Sequence, residues 1–133
     1  MNILIIDGQG GGIGKQLVTA IKKSCVTAKI TAVGTNSLAT SAMLKAGADN
    51  AATGENAVVV GCRHADIIVG PIGIVIADAM FGEITPTMAI AVGRSQAVRI
   101  FVPVKQCDNI VAGAFNQSLS KIIDDVVIQI NCL

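Results

Sequence analysis

The residues of this chain best suited to chemistry lie in one stretch, Asp7-Gly8-Gln9-Gly10-Gly11-Gly12-Ile13-Gly14-Lys15. Glycines in a tight turn leave backbone N–H groups uncovered, and N–H groups at the positive end of a helix dipole make a site for a phosphate. The spacing G-x-x-x-G-x-G through Gly8, Gly12 and Gly14 gives one glycine to the turn, one to the approach of a pyrophosphate and one to close helix-to-strand contact. The expected binding loop is therefore Gly8, Gln9, Gly10, Gly11, Gly12, Ile13 and Gly14. Asp7 can tie this loop through its amides, or meet a ribose or a metal. Lys15 can reach a phosphate or serve as acid or base.

Further candidates complete the pocket. In dinucleotide sites an acid about 20 residues beyond the glycines usually holds the adenosine ribose. Here that place reads Gly34-Thr35-Asn36, so Thr35 and Asn36 are expected to hydrogen-bond a ribose or a phosphate. No arginine stands nearby to favour a 2′-phosphate. The loop Gly70-Pro71-Ile72-Gly73 is expected to close the other side. Among the acids nearest expected loops, Glu55, Asp66, Asp78 and Glu83, the candidate for catalysis is Glu55, whose alternative role is to favour the positive end of a helix. Cys62-Arg63-His64, with Cys107, matches no common zinc spacing, and no metal is expected. No nucleophile stands beside a base, so binding is expected rather than catalysis.

These residues need elements to hold them. The apolar run Ile3-Leu4-Ile5-Ile6 predicts a strand before the glycines. Leu17, Val18, Ile21 and Cys25 recur at helical spacing and predict a helix from about Ile13 to Ser24. A second strand is expected over Lys29 to Gly34, then a helix capped by Asn36 or Ser37 and stopped at Gly47. A short third strand is expected within Ala48 to Ala52, and Thr53 is expected to cap a helix over Glu55 to Cys62, although Val58-Val59-Val60 also suits extended chain. His64 is expected in a turn before the next strand. Asp66 to Gly70 reads as a buried strand and Ile72 to Ala77 as the start of a buried helix, which would leave Asp78 a lone acid in an apolar helix. Thr85-Pro86 predicts a capped helix to Ser95, Arg99 to Val104 a strand, and the stripe Leu119, Ile122, Ile123, Val126, Val127, Ile130 a last helix.

Strands alternating with helices at this spacing predict one α/β domain over residues 1–133, a doubly wound, Rossmann-like three-layer sandwich. Its mostly parallel sheet should have about five strands in the order 3-2-1-4-5. Ligands in such folds bind beyond the carboxyl ends of the strands, where the order reverses.

Composition narrows the partners. The 133 residues are 52% hydrophobic and 14% charged, which favours self-association as a homo-oligomer. Ten Lys and Arg against nine Asp and Glu give no basic patch, and with no Trp, no Tyr and three Phe there are few candidates for base stacking, so no nucleic acid is expected. The most apolar stretch, Ile67 to Phe81, is broken by Gly70, Pro71, Gly73 and Asp78, and spanning a bilayer takes roughly 20 residues, so no membrane is expected. With no basic region before the first apolar run, a secretory signal is not expected and a cytoplasmic location is. Cys25, Cys62, Cys107 and Cys132 are expected to be reduced and mostly buried.

The Gly8, Gly12, Gly14 spacing resembles the cofactor turn of short-chain dehydrogenases. Their chemistry needs a Tyr and a Lys four residues on, and with no Tyr that route is excluded. Gly10 to Lys15 is similar to the variant phosphate loop of ParA- and MinD-type nucleotide hydrolases, but Gln16 stands where a hydroxyl should hold magnesium. Asp7 to Gly14, Gly34 to Ala48, Ala52 to Asn56 and Gly70 to Ala77 together resemble a family of short bacterial proteins known as a domain of unknown function. That resemblance implies a Rossmann-like fold and no reaction. The expected function is a nucleotide- or dinucleotide-binding module, regulatory or accessory, with NAD(P) or an adenine nucleotide as the small phosphorylated ligand. The alternatives are a small enzyme acting on a phosphorylated metabolite at a subunit interface, using Asp7, Lys15 or Glu55, and a structural subunit with an empty turn.

Overall fold

The fold is described by a computed structural model covering residues 1–25, 27–104, 109–114 and 117–133. The strands are β1 (Asn2–Asp7), β2 (Lys29–Gly34), β3 (Asn50–Thr53), β4 (Ile67–Pro71) and β5 (Val98–Val102). The helices are α1 (Gly12–Ser24), α2 (Ser37–Lys45), α3 (Glu55–His64), α4 (Pro86–Arg94) and α5 (Leu119–Asn131). A single 3-10 turn, Ile72–Val75, follows β4. The strands form one five-stranded sheet in the order β3-β2-β1-β4-β5, with every pairing parallel. Order and class are as the alternation predicts.

The apolar run of β1 shows why the sheet is covered twice. Side chains along a strand point to alternate faces. Ile3 and Ile5 enter one core with Leu17, Val18 and Ile21 of α1, Met43 of α2 and Ile123, Val126 and Ile130 of α5. Leu4 and Ile6 enter the other with Val58 and Cys62 of α3 and Met88, Ala89 and Val92 of α4. A strand buried on both faces reads as a continuous apolar run rather than an alternating one, as β1 does. The close seat of α3 has a residue-level cause: a Cβ on Gly61 would lie 2.9 Å from Cδ1 of Leu4.

Helix starts follow local chemistry. Asn36 caps α2 by accepting from the Ala39 N–H at 2.9 Å, and Thr85 caps α4 by accepting from the Met88 N–H at 3.2 Å, with Pro86 at the first helical position. Ser118 caps α5 in the same way.

Several expected boundaries move. Thr53 is not the cap of α3. It is the last residue of β3, paired with Gly34, and its hydroxyl meets that of Thr40. The cap is Gly54, at φ 101°, where glycine accepts the left-handed backbone that ends the strand and admits the helix. Val58-Val59-Val60 is helical, and His64 closes α3 instead of standing in a turn. β5 begins one residue earlier than expected and ends at Val102.

The largest correction concerns Ile72 to Ala77. It starts no long helix: one 3-10 turn gives way to turns that run to Glu83, and Asp78 lies in these turns, exposed, at φ 64°. β-branched residues around Gly73 make a poor helix, and the cap and proline that do start α4 come only at Thr85-Pro86.

Candidate functional site

The pairing of β1 with β4 ends at Ile5 and Val69, short of the carboxyl ends of both strands, and the glycine turn leaves β1 just beyond it. Asp7 organises it. Its buried carboxylate accepts from the Gly8 N–H through Oδ1 at 2.8 Å and from the Gly14 N–H through Oδ2 at 2.7 Å, so both ends of the loop are pinned to one side chain. Burial pushes the Asp7 carboxyl above the usual carboxylate range; the two N–H donors oppose that rise and the nearby charge of Glu83 adds to it. The Gly11 N–H returns to the Gly8 carbonyl at 3.0 Å, and Gln9 and Gly11 take positive φ, 51° and 72°.

The glycines of this turn divide into two kinds. A Cβ on Gly8 would lie 2.6 Å from Sδ of Met80, one on Gly11 would lie 2.8 Å from Cα of Ala39, and one on Gly14 would lie 2.5 Å from Sδ of Met43. These three are bare because the protein itself fills the space. Gly10 and Gly12 are different: nothing lies within 4 Å of where their Cβ atoms would be, and neither has positive φ. The backbone N–H groups of Gly10, Gly12 and Ile13 have no hydrogen-bond partner among the described residues, and no side chain caps α1. They border a cleft of about 260 Å³ whose other walls include Gln16, Pro71, Met80 and Leu119.

Beyond β2 the structure brings together Thr35, Asn36 and a residue the sequence reading did not place at the site, Glu83. Its Oε1 accepts from Oγ1 of Thr35 at 2.7 Å, from Nδ2 of Asn36 at 2.7 Å and from the Gln9 N–H at 3.0 Å. Asn36 Nδ2 also donates to the Gln9 carbonyl at 2.9 Å. Partial burial raises the Glu83 carboxyl, but the bonds from Thr35, Gln9 and Asn36 outweigh it and hold the group below its usual range. Glu83 arrives on a turn with positive φ at Asp78, Met80, Phe81 and Gly82, and Met80 of that turn packs over Gly8. The only sequence signal was an acid in a loop, since the bonds themselves join positions 47 to 74 apart.

The remaining candidates disperse. Pro71 reaches the cleft, Gly70 is buried in β4, and Ile72 and Gly73 face Ile76 and Ala79 in a separate small cavity. Lys15 is exposed on α1 outside the lining of the cleft. Glu55 accepts from the Thr85 hydroxyl at 2.6 Å, joining the start of α3 to the cap of α4. Cys62 is buried, which pushes its thiol up to about 11, whereas Cys25 is half-buried and Cys132 exposed; all three are free. Cys107 lies outside the described residues. A wider groove, about 390 Å³, runs under α3 to the amino ends of β1, β2 and β3 at Asn2, Lys29 and Asn50. No helix among the described residues is long and apolar enough to cross a membrane.

A parallel sheet in the order 3-2-1-4-5 with a glycine turn at its switch point defines a doubly wound, Rossmann-like α/β protein. Within that class the chain belongs to the family described as a domain of unknown function, DUF3842, which it matches over residues 2–133. No curated protein and no solved structure matches it.

Proposed function

We propose that this chain is a nucleotide- or dinucleotide-binding module, regulatory or accessory in role, with the ligand's phosphates on the turn Gly8 to Gly14. The observation that carries the reading is the difference among the glycines. Gly8, Gly11 and Gly14 are explained by the protein's own packing, while Gly10 and Gly12 are not, and both border an open cleft next to three N–H groups that have no partner among the described residues. A bare backbone at a helix start lets phosphate oxygens approach closely, and the helix dipole favours their charge. NAD(P) or an adenine nucleotide suits the position, because the turn lies where sheet order reverses and Thr35 and Asn36 stand beyond the neighbouring strand.

The reading places the protein in the cytoplasm as a homo-oligomer. Exposed Leu38, Val60, Phe81, Ile90 and Val98 leave apolar area for contact between copies, and a clean monomer in sedimentation would remove that part. The test of binding is thermal. A nucleotide at 100 times its dissociation constant adds about 2.7 kcal/mol of stability, so one of NAD, NADP, ATP, ADP, GTP, CoA or a flavin should raise the melting temperature. No shift with any of them overturns the proposal.

A further inference from the structure

Dinucleotide sites hold the adenosine ribose with an acid at the end of the second strand, and this chain has none there: Gly34 is followed by Thr35 and Asn36. The structure supplies a carboxylate to that place from elsewhere. Glu83 lies against Gln9 of the glycine turn and against Thr35 and Asn36 beyond β2, and its Oε1 is 3.4 Å from where a Cβ on Gly8 would be. All three of its hydrogen bonds go to Oε1. Oε2 has no hydrogen-bond partner among the described residues, and the side chain is only partly buried.

We infer that Glu83 is a specificity-determining residue, which receives a ribose with free 2′- and 3′-hydroxyls through Oε2 and excludes a ribose bearing a 2′-phosphate. The inference rests on the nucleotide reading above and deepens it, from any nucleotide to one with an unmodified ribose. Charge and geometry act in the same sense. An ionised carboxylate accepts hydrogen bonds and donates none, so it fits a hydroxyl and repels a phosphate. The three donors that could serve a 2′-phosphate are already taken up by Oε1. The bonds from Thr35, Gln9 and Asn36 hold its carboxyl below the usual range, which favours the charged form.

The backbone supports the same assignment. Asp78, Met80 and Phe81 hold left-handed φ of 64°, 57° and 55°, which side-chain-bearing residues rarely adopt. Such conformations persist where surrounding contacts over-determine them, and they gather at ligand sites. The Asp78 N–H donates to the Ile84 carbonyl at 2.8 Å, and the Gly82 N–H to the Asp78 carbonyl at 3.0 Å, closing the turn that sets Glu83 against β2.

The experiment measures NAD and NADP binding by calorimetry on the full chain and on Glu83→Gln. Gln keeps an amide oxygen for Thr35, Asn36 and Gln9 but removes the charge, and it puts a donor where Oε2 stood. Wild-type protein should bind NAD at least about tenfold more tightly than NADP, as expected for losing one charge-assisted contact. In the variant that ratio should fall to near one. Equal binding of both by the wild type, or an unchanged ratio in Glu83→Gln, overturns the role of Glu83 while leaving the nucleotide reading intact. Failure of both ligands, and of ATP, ADP, GTP, CoA and a flavin as well, to bind overturns the two together. Thr35→Val provides a second variant: it removes one donor that holds Oε1 but keeps the charge, and it should retain a preference for NAD.

Discussion

Replacing Gly12 with leucine separates a glycine kept for a ligand from one kept for packing. Apart from its chain neighbours and the backbone of its own helix, nothing among the described residues lies within 4 Å of a Cβ at Gly12, its φ is ordinary, and it opens α1. The folded state thus tolerates the side chain, and the unfolded chain loses glycine's freedom, so stability should rise by about 0.5 kcal/mol or stay unchanged. Gly11 and Gly14 give the contrast. A Cβ on Gly11 meets Cα of Ala39 at 2.8 Å with φ at 72°, and one on Gly14 meets Sδ of buried Met43 at 2.5 Å and Cβ of Asp7 at 2.9 Å, so Gly14→Ala should cost about 1–3 kcal/mol. For a chain of this length 1 kcal/mol corresponds to about 4 °C in melting temperature. A nucleotide at 100 times its dissociation constant should then raise the wild-type midpoint by about 10 °C. Differential scanning fluorimetry of wild type and Gly12→Leu, each with and without nucleotide, reads both effects. The variant should melt at or slightly above the wild-type midpoint and show no ligand shift. A variant that unfolds, or one that keeps the full shift, refutes the distinction between the two kinds of glycine.

Other consequences are as direct. Asp7→Asn keeps one acceptor and turns an NH2 toward the other amide, so one of the Gly8 and Gly14 N–H groups loses its partner in a buried place; chemical denaturation should show a loss of about 1–3 kcal/mol, and an unchanged midpoint would contradict the pinning role. The lowered pKa of Glu83 means that its contribution to stability is present above the ordinary glutamate value of 4.5 and fades as pH falls through the depressed folded value. The stability advantage of wild type over Glu83→Gln should therefore shrink on acidification, and an advantage that grows below pH 4.5 would reverse the assignment. Asp7 has the opposite sign: its raised pKa gives a contribution that is present below the ordinary aspartate value of 3.8 and is lost as pH rises through the folded value. Cys62, buried and with its thiol pushed up to about 11, should react with a thiol reagent only after unfolding, while exposed Cys132 reacts in the native state; rapid native labelling of Cys62 would contradict its burial.

Most of the fold was legible because its signals are local. The run Ile3 to Ile6 marks a strand covered on both faces, and the stripes of α1 and α5 mark helices with one buried side. Short crossovers between parallel strands then leave few strand orders open. The segment after β4 was not legible, because a run of β-branched residues fits buried helix and compact turn equally well until its partners are known. Those partners are distant. Met80 packs on Gly8, and Glu83 bonds Gln9 across 74 positions, so no periodicity within the segment reports them. The glycine turn shows the same limit in another form. Its position could be read from residue types, but whether each glycine serves packing or an open cleft depends on Ala39, Met43 and Met80, which reach the turn only in the folded chain.

Phosphate binding by this chain depends on the N–H groups of Gly10, Gly12 and Ile13. Titrating the 15N-labelled full chain with ADP and following its amide resonances by NMR tests this most directly. The largest saturable shifts should fall at Gly10, Gly12 and Ile13, with the Asp7-bound amides of Gly8 and Gly14 moving less. Resonances unmoved at saturating ADP, or shifts centred on Val60, Gly61 and His64 in the groove beneath α3, would contradict it.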